Sequence, residues 1–483
     1  MKPIKFGTDG WRGVIADDYT LDNLARVAAA TASYLKLEDR KELQIYSEWN
    51  TPYRSAEDGV IIGYDTRFMS EKFALHVGRV LESSGVPAAV STEPVPTPAV
   101  SLGVRNRGAA AGIMITASHN PPEYNGFKFK CEFAASAPPL VTDRIEELLP
   151  EEPPEYDRTG SVRRIDLASS YVDAVADLID GDRLAQSPAI AVVDAMYGSA
   201  QGFAERVLKR FDTPVVPIRN ENNPGFRGIR PEPLEEYLEP LKVAVREQSR
   251  KTGRLTVGVV TDGDGDRISA MTEDGTFIDA HRTYALLLRH LVEDRGWGGK
   301  VVKNFPLTDL VFEIGSRNDL EVDETPVGFK FIAEKMIRED VLIGGEESGG
   351  IGIKNHIPER DGILCGLLLL EMVAERGVPI SSLIEETMEK YGYHYYHRRD
   401  IELEARKEVV DKMTSAPPSE IDAFHVEKVE TTDGVKLRFE DGWLLLRPSG
   451  TEPLLRIYCE MDRMEKVDRV LESAESYARD LAG

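Results

Sequence analysis

Three aspartates stand two residues apart in the stretch VGVVTDGDGDRISA, with glycines between them. Along an extended strand Asp262, Asp264 and Asp266 would all point one way; in a glycine-rich loop the backbone can curl until their carboxylates converge on one hard cation. Without a cation three such groups repel one another. Mg2+, which takes carboxylates together with a phosphate oxygen, resolves that conflict. A solvated acidic turn is the plain competing reading. An EF-hand is rejected: Glu273 falls at the twelfth position, but the sixth is Arg267 rather than glycine, and strands rather than helices flank the loop. Arg267, next to the cation, is placed to bind the same phosphate.

A serine occupies a similarly constrained stretch, ITASHNPPEYNGFKFK over residues 115–130. The apolar run AGIMIT leads toward Ser118, and the two prolines, which lack an amide and fix φ, stop a strand from continuing. The chain must turn there and leave Ser118 on the rim at the carboxyl end of a strand, where open α/β sheets gather ligands. A plain surface turn would need no more than this. His119 beside it and Lys128 in the same loop add donors that balance a charged group on the serine oxygen. No Ser-His-Asp order and no GxSxG elbow is present, which disfavours a hydrolase nucleophile. In GGEESGG, residues 344–350, Glu346 and Ser348 offer acceptors and a hydroxyl that suit a polyhydroxylated ligand. In LLLRPSGTEPLLR, Arg447 supplies a bidentate fork, and Ser449, Gly450 and Thr451 supply amides and hydroxyls. That is a phosphate cradle without the GxxxxGK[ST] order of a Walker loop. The four stretches together describe phosphoryl transfer between a serine and a phosphosugar.

Such loops need rigid supports. Short β-branched or apolar runs alternate with amphipathic helical stretches through most of the chain, the pattern of parallel α/β sheets. GVIIGYDTR with EKFALHVGRVLESSGV, AIAVVDAMYG with SAQGFAERVLKRF, and KVVKNF with FKFIAEKMIRED belong to three such sets. The last stretch alternates helices with strands joined by turns, which suggests a small α+β domain. LLPEEPPEYDRTG, EDGTFIDA and KYGYHYYHRR mark boundaries. The expectation is four domains: 1–160 with Ser118, 161–277 with the aspartates, 278–392 with the sugar loop and 393–483 with the phosphate cradle. His394 and His397 read as ordinary surface or interface residues.

The formal net charge is −24, from 83 acidic and 59 basic side chains, a field that repels nucleic acid and anionic lipid. An anionic substrate must therefore be drawn in by local cations. A well-solvated surface accounts for most of that charge, and a salty cytoplasm would account for it equally. No apolar run approaches the roughly 20 residues needed to cross a bilayer, and the start MKPIKFGTDG lacks the apolar core of a secretory signal. Cys131, Cys365 and Cys459 stand far apart with no CxxC pair, which fits a reducing compartment. The reading is a soluble cytoplasmic protein, monomer or homodimer, whose partner is a small sugar phosphate and neither nucleic acid nor membrane.

Five stretches in order, FGTDGWRG, TASHNPPEYNGFK, DGDGDR, GEES and RPSGTEP, make the chain resemble the α-D-phosphohexomutases over essentially its whole length. That family includes phosphoglucomutase, phosphomannomutase and phosphoglucosamine mutase. The resemblance implies three similar α/β domains, each a mixed sheet with helices on both faces, and a C-terminal α+β domain, all around a central cleft. It implies that Ser118 is phosphorylated in the active enzyme and that Mg2+ is bound by Asp262, Asp264, Asp266 and the Ser118 phosphate. The phosphoserine gives its phosphoryl group to a sugar monophosphate, the bisphosphate turns around, and its other phosphate returns to Ser118. Lys128 matches a lysine that is the candidate for taking the proton of the attacking hydroxyl, and Arg12, in DGWRG, an arginine near the phosphoserine. Gly328 and Lys330, in TPVGFKFI, fall in a third-domain stretch that helps to bind substrate.

One position departs from the family pattern. Bacterial phosphomannomutase-like members close the sugar loop with a histidine, and here that position is Gly350. His356, in NHIPERDG, is expected to take that role, because the stretch is similar to the DHIREKDG of animal phosphoglucomutases. GEES with HIPERDG points to a phosphoglucomutase that interconverts α-D-glucose 1-phosphate and glucose 6-phosphate, with glucose 1,6-bisphosphate as activator and intermediate. Phosphomannomutase or a dual activity is the alternative, phosphoglucosamine mutase a further one, and a non-catalytic phosphosugar-binding protein the alternative from another class.

Overall fold

Strands β1 (Trp11–Val14), β2 (Val60–Tyr64), β3 (Ala88–Ser91), β4 (Ala111–Ile115), β5 (Tyr124–Cys131) and β6 (Arg163–Ile165) form one mixed sheet in the order β1-β5-β4-β2-β3-β6. The central three, β2, β3 and β4, are parallel and buried along their whole length. Strands covered by helices on both faces read as continuous apolar runs for this reason. In the computed structural model, which describes residues 4–7, 9–450 and 453–482, β5 returns antiparallel to β4 and pairs Met114 with Lys128 and Gly112 with Lys130. Lys128 thus stands on a strand rather than in the serine loop. The turn forced by Pro121 and Pro122 ends at Tyr124, where pairing with β1 begins; pairing with β4 follows from Phe127. Period-two alternation puts Lys128 and Lys130 on one face of β5, and both are buried.

A second mixed sheet contains β7 (Ala189–Asp194), β8 (Val215–Ile218), β9 (Leu255–Thr261), β10 (Ile268–Met271) and β11 (Phe277–Ile278), in the order β11-β10-β9-β7-β8. β7, β8 and β9 are parallel, whereas β9 and β10 form a hairpin with Thr261 opposite Ile268. The aspartates occupy the connection, residues 262–267. Farther on, β12 (Lys300–Asn304) pairs in parallel with β13 (Val322–Thr325), and β14 (Val341–Gly345) pairs antiparallel with β15 (Ile351–Ile353). The β14–β15 hairpin encloses residues 346–350 of the sugar loop.

Compactness divides the chain into two units, Met1–Lys300 with Gly328–Leu383 and Val301–Val327 with Ile384–Gly483. The second unit holds an antiparallel sheet of β16 (Tyr395–Glu402), β19 (Lys428–Glu430), β20 (Val435–Phe439), β21 (Gly442–Pro448) and β22 (Leu454–Met461), ordered β16-β22-β21-β20-β19. A two-stranded ladder, β17 (Glu420–Ile421) with β18 (Phe424–His425), lies beside it in sequence. The helices Arg406–Ser415 and Met464–Ala482 bury Val409, Met413, Val467 and Leu471 in the same apolar cluster as Leu437, Leu444, Leu455 and Ile457 of the sheet. Segment 301–327 is tied to the sheet of this unit by buried Lys436, whose Nζ donates to the Phe305 carbonyl and lies 3.4 Å from Glu324; within the segment, buried Lys303 donates to Asp309 and lies 3.0 Å from Glu324. Of the two histidines read from sequence as surface or interface residues, His394 is half-buried and bonded to Glu460 at 3.0 Å, and His397 is exposed. Among the described residues no helix is long and apolar enough to cross a membrane.

Candidate active site

Ser118 ends the stretch that leaves β4, and its backbone adopts φ +51°, the left-handed region that a non-glycine residue enters only when its surroundings hold it there. The holder is Arg67, two residues past the Asp65 that follows β2. Its guanidinium donates to the carbonyls of Ser118 and Asn120 at 2.6 Å, Pro121 at 2.8 Å and Tyr124 at 3.1 Å, and Asp65 pairs with Nε at 3.1 Å. One planar fork therefore fixes the whole turn. Ser118 follows the carboxyl end of β4, an inner strand, and it is buried rather than open, with Gly263 of the aspartate loop packed against its carbonyl.

The hydroxyl of Ser118 donates to Asp262 Oδ2 at 2.8 Å and stands 3.3 Å from His119 Nδ1. Burial, then the nearby cations Arg267, Arg12 and Lys128, push His119 well below its ordinary value, so the ring is neutral. Arg12, on β1, donates to the Asn120 side chain at 2.5 Å and braces the turn from the other side.

Asp262, Asp264 and Asp266 are fully buried, and one ligand atom from each lies within 4.8 Å of the others. Their outward oxygens are spoken for. Asp264 Oδ2 accepts from Lys128 at 2.7 Å and Thr97 at 2.6 Å; Asp266 Oδ2 accepts from Lys128 at 3.0 Å and Arg360 at 2.7 Å; Asp262 Oδ1 accepts the amides of Asp266 and Arg267. Oδ1 of Asp264 and Oδ1 of Asp266 are buried and accept no hydrogen bond. Buried carboxylate oxygens without a donor are costly, and two of them beside Asp262 fit a hard divalent cation. Burial, followed by the charges of Asp264 and Asp266, pushes Asp262 well above the usual carboxylate range. Burial, the largest influence, would raise Asp264 as well, but the Lys128 ammonium, the Thr97 hydroxyl and Arg360 together hold it below that range.

Lys128 also reaches Asp9 at 2.8 Å. Burial alone would depress it; the three carboxylates win and hold it above its ordinary value, as an ammonium. Arg360 bonds Asp9 and Asp266, both at 2.7 Å, and Lys130 bonds Glu359 at 2.6 Å. Sequence reading passed over Asp9, Asp65, Arg67, Thr97, Glu359 and Arg360. Asp65 and Arg67 stand at the carboxyl end of β2, where the sheet rule points, and Glu359 and Arg360 lie in the quoted PERDG.

In the sugar loop, Glu346 Oε1 accepts the Gly328 amide at 3.1 Å, and Oε2 lies 3.6 Å from Arg360. Ser348 is half-buried, as is Lys330, the second residue of the helix Phe329–Arg338. Arg267 lies 3.7 Å from Glu232. His356 is held elsewhere: Nε2 is 2.9 Å from Asp361, which also accepts from Tyr171 and caps the helix Gly362–Arg376, and Arg105 bonds the His356 carbonyl. None of those partners belongs to the serine or aspartate loops. In the second unit Arg447 pairs with Asp433 at 2.9 Å, and the Ser449 amide is taken by the Leu454 carbonyl at 2.8 Å. Gly450 is exposed, and Thr451 lies outside the described residues.

Models of four domain families match along the chain: phosphoglucomutase/phosphomannomutase alpha/beta/alpha domain I over residues 3–155, domain II over 169–275, domain III over 279–391, and the C-terminal domain over 403–475. The chain is 32% identical over 475 residues to a phosphoglucomutase/phosphomannomutase of Thermococcus kodakarensis, covering 97% of this chain and 96% of that protein. It is 31% identical to a probable phosphoglucosamine mutase of Methanothermobacter thermautotrophicus, covering 100% and 99%. The crystal structure of a putative phosphomannomutase from Thermus thermophilus superposes with a TM-score of 0.85 at 34% identity, covering 99% of each chain.

Proposed function

The chain belongs to the phosphoglucomutase/phosphomannomutase family of phosphohexomutases, and from that premise we propose that it interconverts the 1- and 6-phosphates of a hexose, with glucose preferred. The observation that carries this reading is the Ser118 hydroxyl bonded to Asp262 inside a carboxylate cluster whose remaining oxygens are open. A phosphoryl group on Ser118 passes to the free hydroxyl of the sugar monophosphate: the Ser118 O–P bond breaks, a sugar O–P bond forms, and the proton released by the sugar hydroxyl is balanced by the one that the departing Ser118 oxygen takes up to become a hydroxyl again. The hexose bisphosphate then presents its other phosphate, which returns to Ser118. Mg2+ held by Asp262, Asp264 and Asp266 would neutralise charge on the transferring oxygens.

The protein's own groups do the rest. Arg12 and Arg267 add positive charge around the transferring group, and neutral His119 offers a ring nitrogen at the serine oxygen. Lys128 is an ammonium as folded, so it stabilises charge and gives its proton to the departing Ser118 oxygen, and the proton of the sugar hydroxyl then replaces it on Nζ. Glu346 and Ser348 take sugar hydroxyls, with Lys330 and Gly328, whose amide bonds Glu346, assisting them, and Arg447, Ser449, Gly450 and Thr451 hold the phosphate that is not reacting. Phosphoglucosamine mutase is the second reading. It is favoured by the name of the Methanothermobacter relative and by Glu346, a buried carboxyl able to pair with an amino group.

The test is steady-state turnover of glucose 1-phosphate, mannose 1-phosphate and glucosamine 1-phosphate with Mg2+, primed by glucose 1,6-bisphosphate. Glucose 1-phosphate should give the highest kcat/KM, and Ser118→Ala should lose about three orders of magnitude or more in kcat. A higher kcat/KM for another sugar reassigns the substrate, and Ser118→Ala at full activity removes the phosphoserine mechanism.

A further inference from the structure

Gly350 has no positive φ, so its backbone does not call for glycine. Room does. A Cβ built there would stand 2.3 Å from Cδ and 3.1 Å from Cγ of Arg360, inside any carbon–carbon contact distance. The stem of Arg360 runs through the space that a side chain at 350 would fill. Its backbone is pinned on both sides: the Asp361 amide donates to Ile351 O at 2.9 Å, and the Gly362 amide to Gly265 O at 3.1 Å, in the aspartate loop itself. The guanidinium then reaches Asp266 Oδ2 and Asp9 Oδ2, both at 2.7 Å, and Glu346 Oε2 at 3.6 Å.

We propose that Arg360 is the positioning residue that turns Asp266 toward the metal and ties it to Glu346, and that glycine at 350 exists to admit it. The carboxylates of Asp266, Asp9, Glu359 and Glu346 hold the guanidinium there, and its fixed fork decides which oxygen of Asp266 it takes. By holding Asp266 Oδ2 together with Lys128, Arg360 leaves Oδ1, which accepts no hydrogen bond, as the oxygen available to a metal. Outer partners that orient a ligand in this way set metal affinity as well as geometry. The proposal rests on the mutase reading for the purpose of the site, but its test needs no turnover.

The experiment is calorimetric titration of the metal-free protein with Mn2+, for wild type, Arg360→Met, Arg360→Lys, Gly350→Ala and the double variant Gly350→Ala/Arg360→Met, each checked for folding by melting temperature. Arg360→Met should weaken Mn2+ about tenfold or more. Gly350→Ala should move the affinity the same way by displacing the arginine stem, and the double variant should be no weaker than Arg360→Met alone, the mark of two residues acting through one contact. Arg360→Lys, which keeps the charge but not the fork, should fall between. Tighter Mn2+ binding on loss of Arg360 would mean that it contributes only repulsive charge. Unchanged affinity with a lower melting temperature would mean that it only packs; either result overturns the proposal, and strict additivity overturns the part played by Gly350. Should Arg360→Met fail to fold, Arg360→Lys and Gly350→Ala decide the matter in the same terms. A protein that shows the Mn2+ pattern but turns over no sugar phosphate refutes the mutase reading and leaves this one standing.

Discussion

Glu346 carries its carboxyl inside the fold, where burial first and the neighbouring Glu347 second push it up to about 7, against the pull of Arg360. Protonated, the group donates; ionised, it accepts, and a sugar hydroxyl needs an acceptor. The sign follows: kcat/KM is expected to rise with pH on the acid side of 7 and to level above it, as the carboxylate form fills. Glu346→Gln should flatten that limb and lower the plateau by about tenfold to a hundredfold, the worth of a hydrogen bond to a charged group. A wild-type profile level between pH 6 and 8 would remove the carboxylate from sugar recognition. Side chains of this kind were legible in the sequence because their types are reactive and their glycine frames unusual, as with Ser118 and the three aspartates. Arg67 and Arg360 were not, since each works by reaching groups far along the chain: Arg67 the carbonyls of residues 118–124, Arg360 the carboxylates of Asp9 and Asp266. Nothing in GYDTR or PERDG says which loop folds against it.

Elements position these groups by interlocking two loops that come from different sheets. Gly263 fits so closely under the serine turn that a Cβ would lie 2.4 Å from Ser118 O and 2.9 Å from Pro231 Cγ. Its own amide is bonded to Pro231 O at 3.0 Å, so the aspartate loop cannot simply back away. Gly263→Ala should therefore shift the serine turn, and a displacement near 1 Å at a reacting atom costs about a hundredfold in rate. Kinetics beside far-UV circular dichroism check this, with Gly225→Ala as the control. Gly225 has no positive φ, and its nearest atom to a built Cβ is 3.7 Å away, so turnover there should stay at the wild-type value. If Gly263→Ala also keeps wild-type kcat, the two loops are not mechanically coupled. Prolines announced the turn after Ser118, yet the sequence placed Lys128 inside it. Where a turn ends depends on when pairing resumes, and β5 is drawn into register at Tyr124 by β1, three residues before β4 joins at Phe127.

At the scale of the molecule, the strand–helix alternation made the α/β character legible. The grouping of residues 301–327 with the C-terminal sheet was not, because Lys436 does that work from inside an apolar stretch. Net charge acts at this scale too. An excess of 24 negative charges repels itself in the folded state more than in the expanded one, which destabilises the compact form. Salt relieves that repulsion while weakening exposed pairs such as Arg144–Glu147 and Arg206–Glu93. Those exposed pairs contribute little, and buried ones such as Lys130–Glu359 are screened little, so relief should win. The melting temperature of the metal-free protein is expected to climb by several degrees as KCl rises from about 0.05 to 1 M, with most of the gain below about 0.3 M, where the Debye length falls under the spacing of surface charges. Differential scanning calorimetry measures it. A melting temperature that falls with salt would show that exposed pairs outweigh the net repulsion. One that is still climbing steeply at the top of the range would mark the acidic surface as an adaptation to concentrated salt rather than ordinary solvation.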